Sequence, residues 1–194
     1  MNYFEAIKAG GEARTPYHEI ARKVFLTYPT HAFIGDEERQ YSVYNEIAIF
    51  FEIPITSIHV AGSAKIGRSI HKGRDFVRGT SDLDIAIIDG RLFTRYMEHV
   101  CKVSKNYTDL TRFPPSKVPS TCEAYLKYLS KGIFRPDLMV TGQERAKINN
   151  FFGTLSSKYS DLFGSINAAI YLSESFFENK QRSVIKNFFE KESF

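Results

Sequence analysis

Two carboxylates in the middle of the chain have the spacing of a metal site. Asp82 and Asp84 stand two positions apart where an apolar run, Leu83–Ile88, begins. Side chains alternate faces along a strand, so both carboxylates are expected to point the same way while Leu83 points into the core. Two such charges raise each other's pKa unless a cation lies between them. A pair of oxygen ligands of this kind favours Mg²⁺ or Mn²⁺.

A Gly-Ser dipeptide precedes the acidic pair. Gly62 and Ser63 follow an apolar segment, 58–61, that reads as a strand, and the residues after them read as a helix. Backbone N–H groups at such a turn can bind phosphate, and glycine lets the backbone approach it closely. Taken alone, Gly62-Ser63 could equally be an ordinary strand-to-helix turn. The acidic pair downstream favours the phosphate-binding interpretation.

The two motifs in this order resemble a known superfamily. A strand ending in Gly62-Ser63, with Gly67, followed by a strand carrying Asp82-Leu83-Asp84 is similar to the nucleotidyltransferases of the DNA polymerase β type. The resemblance implies that the Gly-Ser turn holds nucleotide phosphates, that the Asp pair binds two metal ions, and that a later strand supplies a third carboxylate. The gap between Ser63 and Asp82 is longer than in the compact members. Such gaps resemble those of bacterial signal-making nucleotidyltransferases in anti-phage systems.

Asp137 is the candidate for the third carboxylate. It is the only acid in the last apolar, strand-like run, 133–140, and the resemblance implies that it binds the catalytic metal and helps to deprotonate the attacking hydroxyl. The alternative is a Pro136-Asp137 turn with no metal. Asp89, although near the other acids, precedes a helical segment and is predicted to be its cap.

The segment between the two motifs is rich in cations. Its basic side chains could neutralise a triphosphate or hold an oligonucleotide, although each of them could instead be a solvated loop charge. The phosphate-binding candidates there are Lys65, Lys72, Arg74 and Arg78, in addition to Gly62 and Ser63.

Composition indicates one globular, mildly basic domain. The chain has 194 residues, a formal charge of +4, and 43% hydrophobic and 14% aromatic residues, which is ample for a core. The basic balance favours polyanionic ligands. No window approaches the ~18 apolar residues of a membrane span, the N-terminus does not read as a signal peptide, and Cys101 and Cys122 have no C-x-x-C spacing. We therefore expect a cytoplasmic protein without membrane contact.

Hydrophobic periodicity predicts an α+β fold: a small mixed β-sheet of the nucleotidyltransferase type, covered by helices. The predicted division is a nucleotidyltransferase core with N-terminal helices over residues 1–141 and a helical extension over 142–194, packed as one unit. In chain order after the N-terminal helices, the predicted elements are a helix at 36–53, strands at 58–61 and 83–88, a helix from residue 90, a helix from residue 120 or 121, a strand at 133–140 interrupted by Pro136, and helices at 143–157 and 165–189.

The expected activity is Mg²⁺-dependent transfer of NMP or dNMP from an NTP or dNTP to a hydroxyl, with release of pyrophosphate. The acceptor is left open: a nucleotide, an oligonucleotide end, or a protein hydroxyl, including the chain's own Tyr, Ser and Thr. Short oligonucleotide or dinucleotide signals in anti-phage defence, with an effector protein as partner, are one expectation. The alternatives are a toxin–antitoxin-type transferase that modifies a protein or tRNA, and a catalytically inactive fold that binds nucleic acid or a partner.

Overall fold

A four-stranded mixed sheet lies at the centre of the computed structural model, which describes residues 2–116 and 119–192. Its spatial order is β1 (Ile58–Ala61), β4 (Leu83–Ile88), β6 (Ile166–Tyr171) and β5 (Ile133–Phe134). β4 and β6 are parallel, whereas β1 and β5 are antiparallel to their neighbours. Together with the surrounding helices, this sheet confirms the predicted α+β class.

Helices cover both faces of this sheet. They are α1 (Tyr3–Glu12), α2 (Tyr17–Arg22, continued by a π-helical segment, Lys23–Thr27), α3 (Glu37–Phe51), α4 (Gly62–Ile66), α5 (Gly90–Val103), α6 (Thr121–Leu129), α7 (Gln143–Lys158) and α8 (Glu174–Glu192). A small hairpin of β2 (Arg68–Ser69) and β3 (Arg74–Asp75) follows α4. Single 3₁₀ turns lie at His31–Phe33, Ile55–Ser57, Leu110–Arg112 and Pro136–Leu138.

Local capping explains where two of these helices begin. Asp89 accepts a hydrogen bond from the N–H of Leu92 at 2.8 Å, which confirms its predicted role as the cap of α5. Ser120 and Glu123 form a reciprocal capping box at the start of α6. Both signals lie within four residues of sequence, so they could be recognised before the fold was known.

The alternation of β4 divides the core into two layers. Leu83, Ile85 and Ile87 pack into the larger buried cluster, between the sheet and α3, α5 and α7. Ala86 belongs to the second cluster, against α1, α2 and α8. Asp84 shares its face of the strand with Ala86, so the acidic site opens on the α8 side of the sheet.

The predicted helix at 165–189 is wrong in its first part. Ile166–Tyr171 forms β6, the strand between β4 and β5, and α8 begins only at Glu174. The strand is stabilised by pairing with β4 along its whole length, a partner about eighty residues earlier in the chain. Local periodicity cannot report such a partner. The segment after residue 142 therefore contributes a central strand to the sheet as well as helices.

The predicted strand at 133–140 is also shorter than expected. Only Ile133–Phe134 pairs with β6, and Pro136–Leu138 forms a 3₁₀ turn. Proline has no N–H to donate to a ladder, which accounts for the early departure of the chain from the sheet.

Candidate functional site

Strand register brings the two sequence motifs together. Ala61, the last residue of β1, pairs with Asp84 on β4, so the Gly62-Ser63 turn begins beside the carboxylate. Gly62 has φ +66°, and a Cβ at this position would collide with Oδ2 of Asp84. Only glycine satisfies both the backbone angle and the close approach. The turn and the acidic pair are therefore parts of one site.

Asp84 is an acid without a direct partner. In the part of the chain that the structure describes, no hydrogen bond or ion pair reaches its carboxylate. Burial, and secondarily the charge of Asp82, raises the pKa of Asp84, while the positive charges of Arg135 and Lys72 lower it. The side chain remains in contact with solvent at the mouth of a cavity. A partly desolvated carboxylate beside a second one is where a divalent cation is stabilising.

A hydrogen-bond chain links Asp82 to the neighbouring strand. The hydroxyl of Ser165 donates to Oδ1 of Asp82 at 2.7 Å, and Nδ2 of Asn167 donates to that hydroxyl at 2.8 Å. Asn167 lies directly opposite Asp84 in the β4–β6 register. Its amide oxygen is a further oxygen donor that could join the acidic pair in holding a cation. Sequence reasoning missed Asn167 because its segment was predicted to be helical; the period-two alternation of Ile166, Ala168 and Ile170 was the available signal.

Asp137 lines the same cavity as Asp84, but its carboxylate is already engaged. Nε and Nη2 of Arg135 donate to its two oxygens at 2.8 Å each. Within residues 2–116 and 119–192, no three His, Cys, Asp or Glu side chains come close enough together to hold a metal ion. The role of Asp137 as third carboxylate therefore remains a prediction.

Lys65 is not placed to bind phosphate, which corrects its assignment from the sequence. The residue is only 4% exposed, and its Nζ donates to the carbonyl oxygen of Tyr28 at 2.6 Å. Burial lowers the pKa of its ammonium group to about 8. The side chain lies on the core side of α4, where it ties this helix to the end of the π-helical segment. We exclude it from the phosphate-binding set.

The other basic candidates lie on or after the β2–β3 hairpin. Arg78 is paired with Asp36 at 2.8 Å, and Arg74 is exposed on β3. Lys72, in the turn of the hairpin, acts on Asp84 through its charge. The hairpin turn is held by Lys191 of α8, whose Nζ donates to the carbonyl oxygens of Ile70 and His71 at 3.0 and 2.8 Å. Lys72 is therefore the hairpin cation best placed to serve the acidic site.

A cavity of about 650 Å³ runs from the acidic site along β6, between α7 and α8. Gly62 and Asp84 line one end of it, and Arg135 and Lys180 add positive charge to its wall. This volume is in the range of small-molecule and cofactor sites. The arrangement combines the backbone of the Gly62-Ser63 turn, carboxylates and cations around a space of small-molecule size.

The donor set at this end of the cavity fits a divalent cation. Asp84 and Asn167 line the cavity, and Asp82 is linked to Asn167 through Ser165. Their carboxylate and amide oxygens are the type of donor that Mg²⁺ and Mn²⁺ prefer. Among the described residues, no helix is long and apolar enough to cross a membrane. Comparison with family models, with curated proteins and with solved structures gave no match. The function must therefore be inferred from the site itself.

Proposed function

We propose that this protein is a Mg²⁺- or Mn²⁺-dependent nucleotidyltransferase that transfers NMP or dNMP from a nucleoside triphosphate to a hydroxyl. The observation that carries this proposal is the pairing of Ala61 with Asp84, which sets the Gly62-Ser63 backbone against the acidic pair. Phosphate-binding N–H groups and metal-binding carboxylates in one place are what phosphoryl-group chemistry requires. The same pairing supports the resemblance of the sheet to the nucleotidyltransferase fold.

Asp82 and Asp84 would hold the metal, with Asn167 or Asp137 completing the oxygen set. When bound, the cation supplies Lewis-acid stabilisation of the charge that develops on the phosphate oxygens. The N–H groups of Gly62 and Ser63 would orient the triphosphate, and Lys72 and Arg135 would offset its charge.

In the proposed reaction the acceptor oxygen bonds to the α-phosphorus as the bond from that phosphorus to the bridging oxygen breaks. Pyrophosphate leaves, and the hydroxyl proton passes to a carboxylate of the site. The protein contributes mainly position and charge. Of the possible acceptors, a second nucleotide or a hydroxyl of the chain itself needs no additional binding domain. This favours short oligonucleotide or dinucleotide products, or self-modification, in the cytoplasm.

A second candidate is a nucleotidyltransferase-like fold that binds a nucleotide, nucleic acid or partner without transferring anything. The observation that favours it is the engagement of Asp137 by Arg135, together with the absence of a three-acid cluster in the described part of the chain. Two carboxylates and a neutral amide are enough to bind a metal–nucleotide complex.

Incubation of the pure protein with each labelled ribo- and deoxyribonucleoside triphosphate and Mg²⁺ tests the proposal. Pyrophosphate release, chromatography of the filtrate and intact-protein mass spectrometry would separate free oligomers from a nucleotide adduct. Asp84→Ala and Gly62→Ala are the controls, and both should be inactive. Binding without turnover would favour the second candidate, and labelling of added tRNA or protein alone would favour the toxin–antitoxin-type activity. Absence of triphosphate binding would overturn the proposal.

A further inference from the structure

One edge of β6 is open where the cavity meets the sheet. On one side, β6 pairs with β4 from Ile166 to Tyr171; on the other side, only Ile170 and Tyr171 pair with β5. The chain leaves this edge after Phe134 and turns through Pro136–Leu138. A slot is left between the first half of β6 and the turn, and this slot is part of the cavity.

The hydrogen bonds at the two ends of β6 show which backbone groups face the slot. The carbonyl oxygens of Ser165 and Tyr171 accept hydrogen bonds from the N–H groups of Leu83 and Asp89. The backbone N–H and C=O groups of the odd-numbered residues of β6 therefore point towards β4. The N–H groups of Ile166 and Leu172 donate to the opposite edge, to the Ser156 hydroxyl at 2.8 Å and the Gly132 carbonyl at 3.0 Å. Because the direction of the backbone N–H and C=O groups alternates from residue to residue along a strand, those of Ala168 also point to the edge opposite β4.

Ala168 consequently directs an unpaired N–H and an unpaired C=O into the cavity. On this edge β5 pairs only with Ile170 and Tyr171, and outside the strand ladders no hydrogen bond among the described residues involves the N–H or C=O of Ala168, which is half-buried. Backbone polar groups in such a position nearly always have a hydrogen-bond partner, because a donor or acceptor left without one costs about 1–3 kcal/mol. An adjacent donor and acceptor on one strand residue is a complete site for a ligand that carries the matching pair.

The walls of the slot suit a flat ring. Phe152 of α7 and Val184 of α8 are apolar lining residues, and Gly153 leaves open space, since a Cβ there would meet no atom within 4 Å. The amide residues Asn149 of α7 and Gln181 of α8 also line the cavity. Apolar faces with a few convergent polar groups are typical of sites for aromatic heterocycles.

We propose that the backbone N–H and C=O of Ala168 bind the base of the nucleoside triphosphate whose phosphates lie at Gly62 and Asp84. The proposal rests on the nucleotide site proposed above and adds to it the place where the base is held. The cavity is continuous from Gly62 and Asp84 to Ala168. Each of the four bases has a neighbouring donor and acceptor on its Watson–Crick edge, complementary to one N–H and C=O pair.

An added peptide strand fits this edge less well. Strand addition uses several main-chain hydrogen bonds in succession. Here the N–H of Ile166 is already bonded to Ser156, and Ile170 is already paired with Phe134. A single residue with both groups open matches a small heterocycle rather than an extended chain.

Filling the slot from α7 tests the inference. Gly153→Phe places a ring in the open space, Gly153→Ala is the matched control, and Asn149→Phe, one helical turn away, is a second blocking variant. Affinities for Mg²⁺ complexes of nucleoside triphosphates, for inorganic tripolyphosphate, and for free nucleosides would be measured by calorimetry. Melting temperatures would show that each variant is folded.

Both phenylalanine variants should weaken nucleoside triphosphate binding at least about tenfold, a loss of about 1.4 kcal/mol. Tripolyphosphate binding should stay within about twofold of wild type, because it reports only the phosphate end. Unchanged triphosphate affinity in both folded variants would overturn the base site while leaving the proposed function intact. Failure of both triphosphates and tripolyphosphate to bind wild type would overturn both. A third result would separate the two ideas in the other direction. If wild type binds nucleosides but not tripolyphosphate, and Gly153→Phe loses nucleoside binding, the base site is supported and the proposed function is overturned.

The amide of Ala168 gives a direct readout. In protein labelled with ¹⁵N-alanine, its cross-peak is assigned by its absence from Ala168→Gly. Nucleoside triphosphate should shift this peak and slow its hydrogen exchange at least about tenfold, because the N–H becomes hydrogen-bonded. An amide that is unaffected at saturating triphosphate would overturn the proposal. If an added peptide, and no nucleotide, protects it, the edge is a strand-addition site.

Discussion

Asp84 and Asn167 lie opposite each other on two parallel strands, an acid beside a neutral amide at the same level of the sheet. Asn167 is hydrogen-bonded through Ser165 to Asp82, and Asp84 lies beside this chain without a hydrogen bond to it, so the amide is adjacent to both carboxylates. Together the three side chains carry two negative charges and offer one neutral oxygen. Among the described residues that line the cavity, Asp137 is the only other acid, and Arg135 engages its carboxylate.

The first prediction concerns Asp84. Asp84→Asn should reduce nucleotidyl transfer at least about 100-fold, because the amide keeps the shape and loses the charge that binds the metal. The same change should raise the melting temperature at pH 7, since burial penalises the ionised carboxylate. Asp75→Asn, on the exposed hairpin, is the control and should have neither effect.

The gain in stability expected for Asp84→Asn depends on pH, because protonation of Asp84 is coupled to folding. The folded-state pKa of Asp84 is raised above its ordinary value of 3.8. The folded protein therefore binds more protons than the unfolded chain between the two pKa values, and wild-type stability falls as pH rises through this window. The higher melting temperature of Asp84→Asn relative to wild type should be fully present near pH 7 and should shrink as the pH approaches 3.8. A variant that melts below wild type at pH 7 and retains activity would contradict this account.

The second prediction ranks the candidates for a third metal ligand. Asp137→Asn should lower transfer at least about tenfold if its carboxylate leaves Arg135 when substrate binds. Asp89→Asn should be nearly neutral, because Asn caps helices as well as Asp does. Initial rates at saturating Mg²⁺ would be compared, with Asn167→Ala as the third variant. If Asn167→Ala lowers the rate of transfer more than Asp137→Asn does, the third metal ligand is the amide of Asn167 and not the carboxylate of Asp137.

The third prediction concerns the hairpin cations. Lys72→Ala should weaken triphosphate binding about three- to tenfold, with the loss fading at 0.5 M salt, because Lys72 acts through its charge. Arg68→Ala is the matched control, since Arg68 is occupied by Asp75 and by the carbonyl of Gly73. Equal losses in the two variants would mean that hairpin charge in general, and not Lys72, supports binding.

The fourth prediction concerns the buried Lys65. Its folded-state pKa of about 8 lies below the ordinary 10.5, so the unfolded chain binds more protons between these values. Wild-type stability should rise relative to Lys65→Met from pH 8 to pH 10.5, by an amount on the order of 3 kcal/mol. Urea unfolding at several pH values measures this difference. Parallel stability profiles would indicate a solvated ammonium group and would reopen a phosphate-binding role for Lys65.

Local patterns were sufficient for several parts of the fold. Each of these parts depends on residues that are close together in the sequence. They are the apolar runs at β1 and β4, the caps at Asp89 and Ser120, and the amphipathic spacing of α3 and α7. The helix predicted at 165–189 failed because an apolar segment rich in Ala and Ile satisfies a helical pattern and a strand pattern equally. Its pairing with β4 decided between them.

For the site, the order and spacing of the Gly62-Ser63 and Asp82-Leu83-Asp84 motifs were sufficient for the sequence by itself to predict that the glycine turn and the acidic pair form one centre. Only the tertiary structure decided which other residues join it. It placed Lys65 in the core, paired Asp137 with Arg135, and brought Asn167 and the open edge at Ala168 to the cavity. The physical reason is distance along the chain: alternation and capping act between near neighbours, whereas strand order and side-chain burial depend on contacts between segments far apart in sequence.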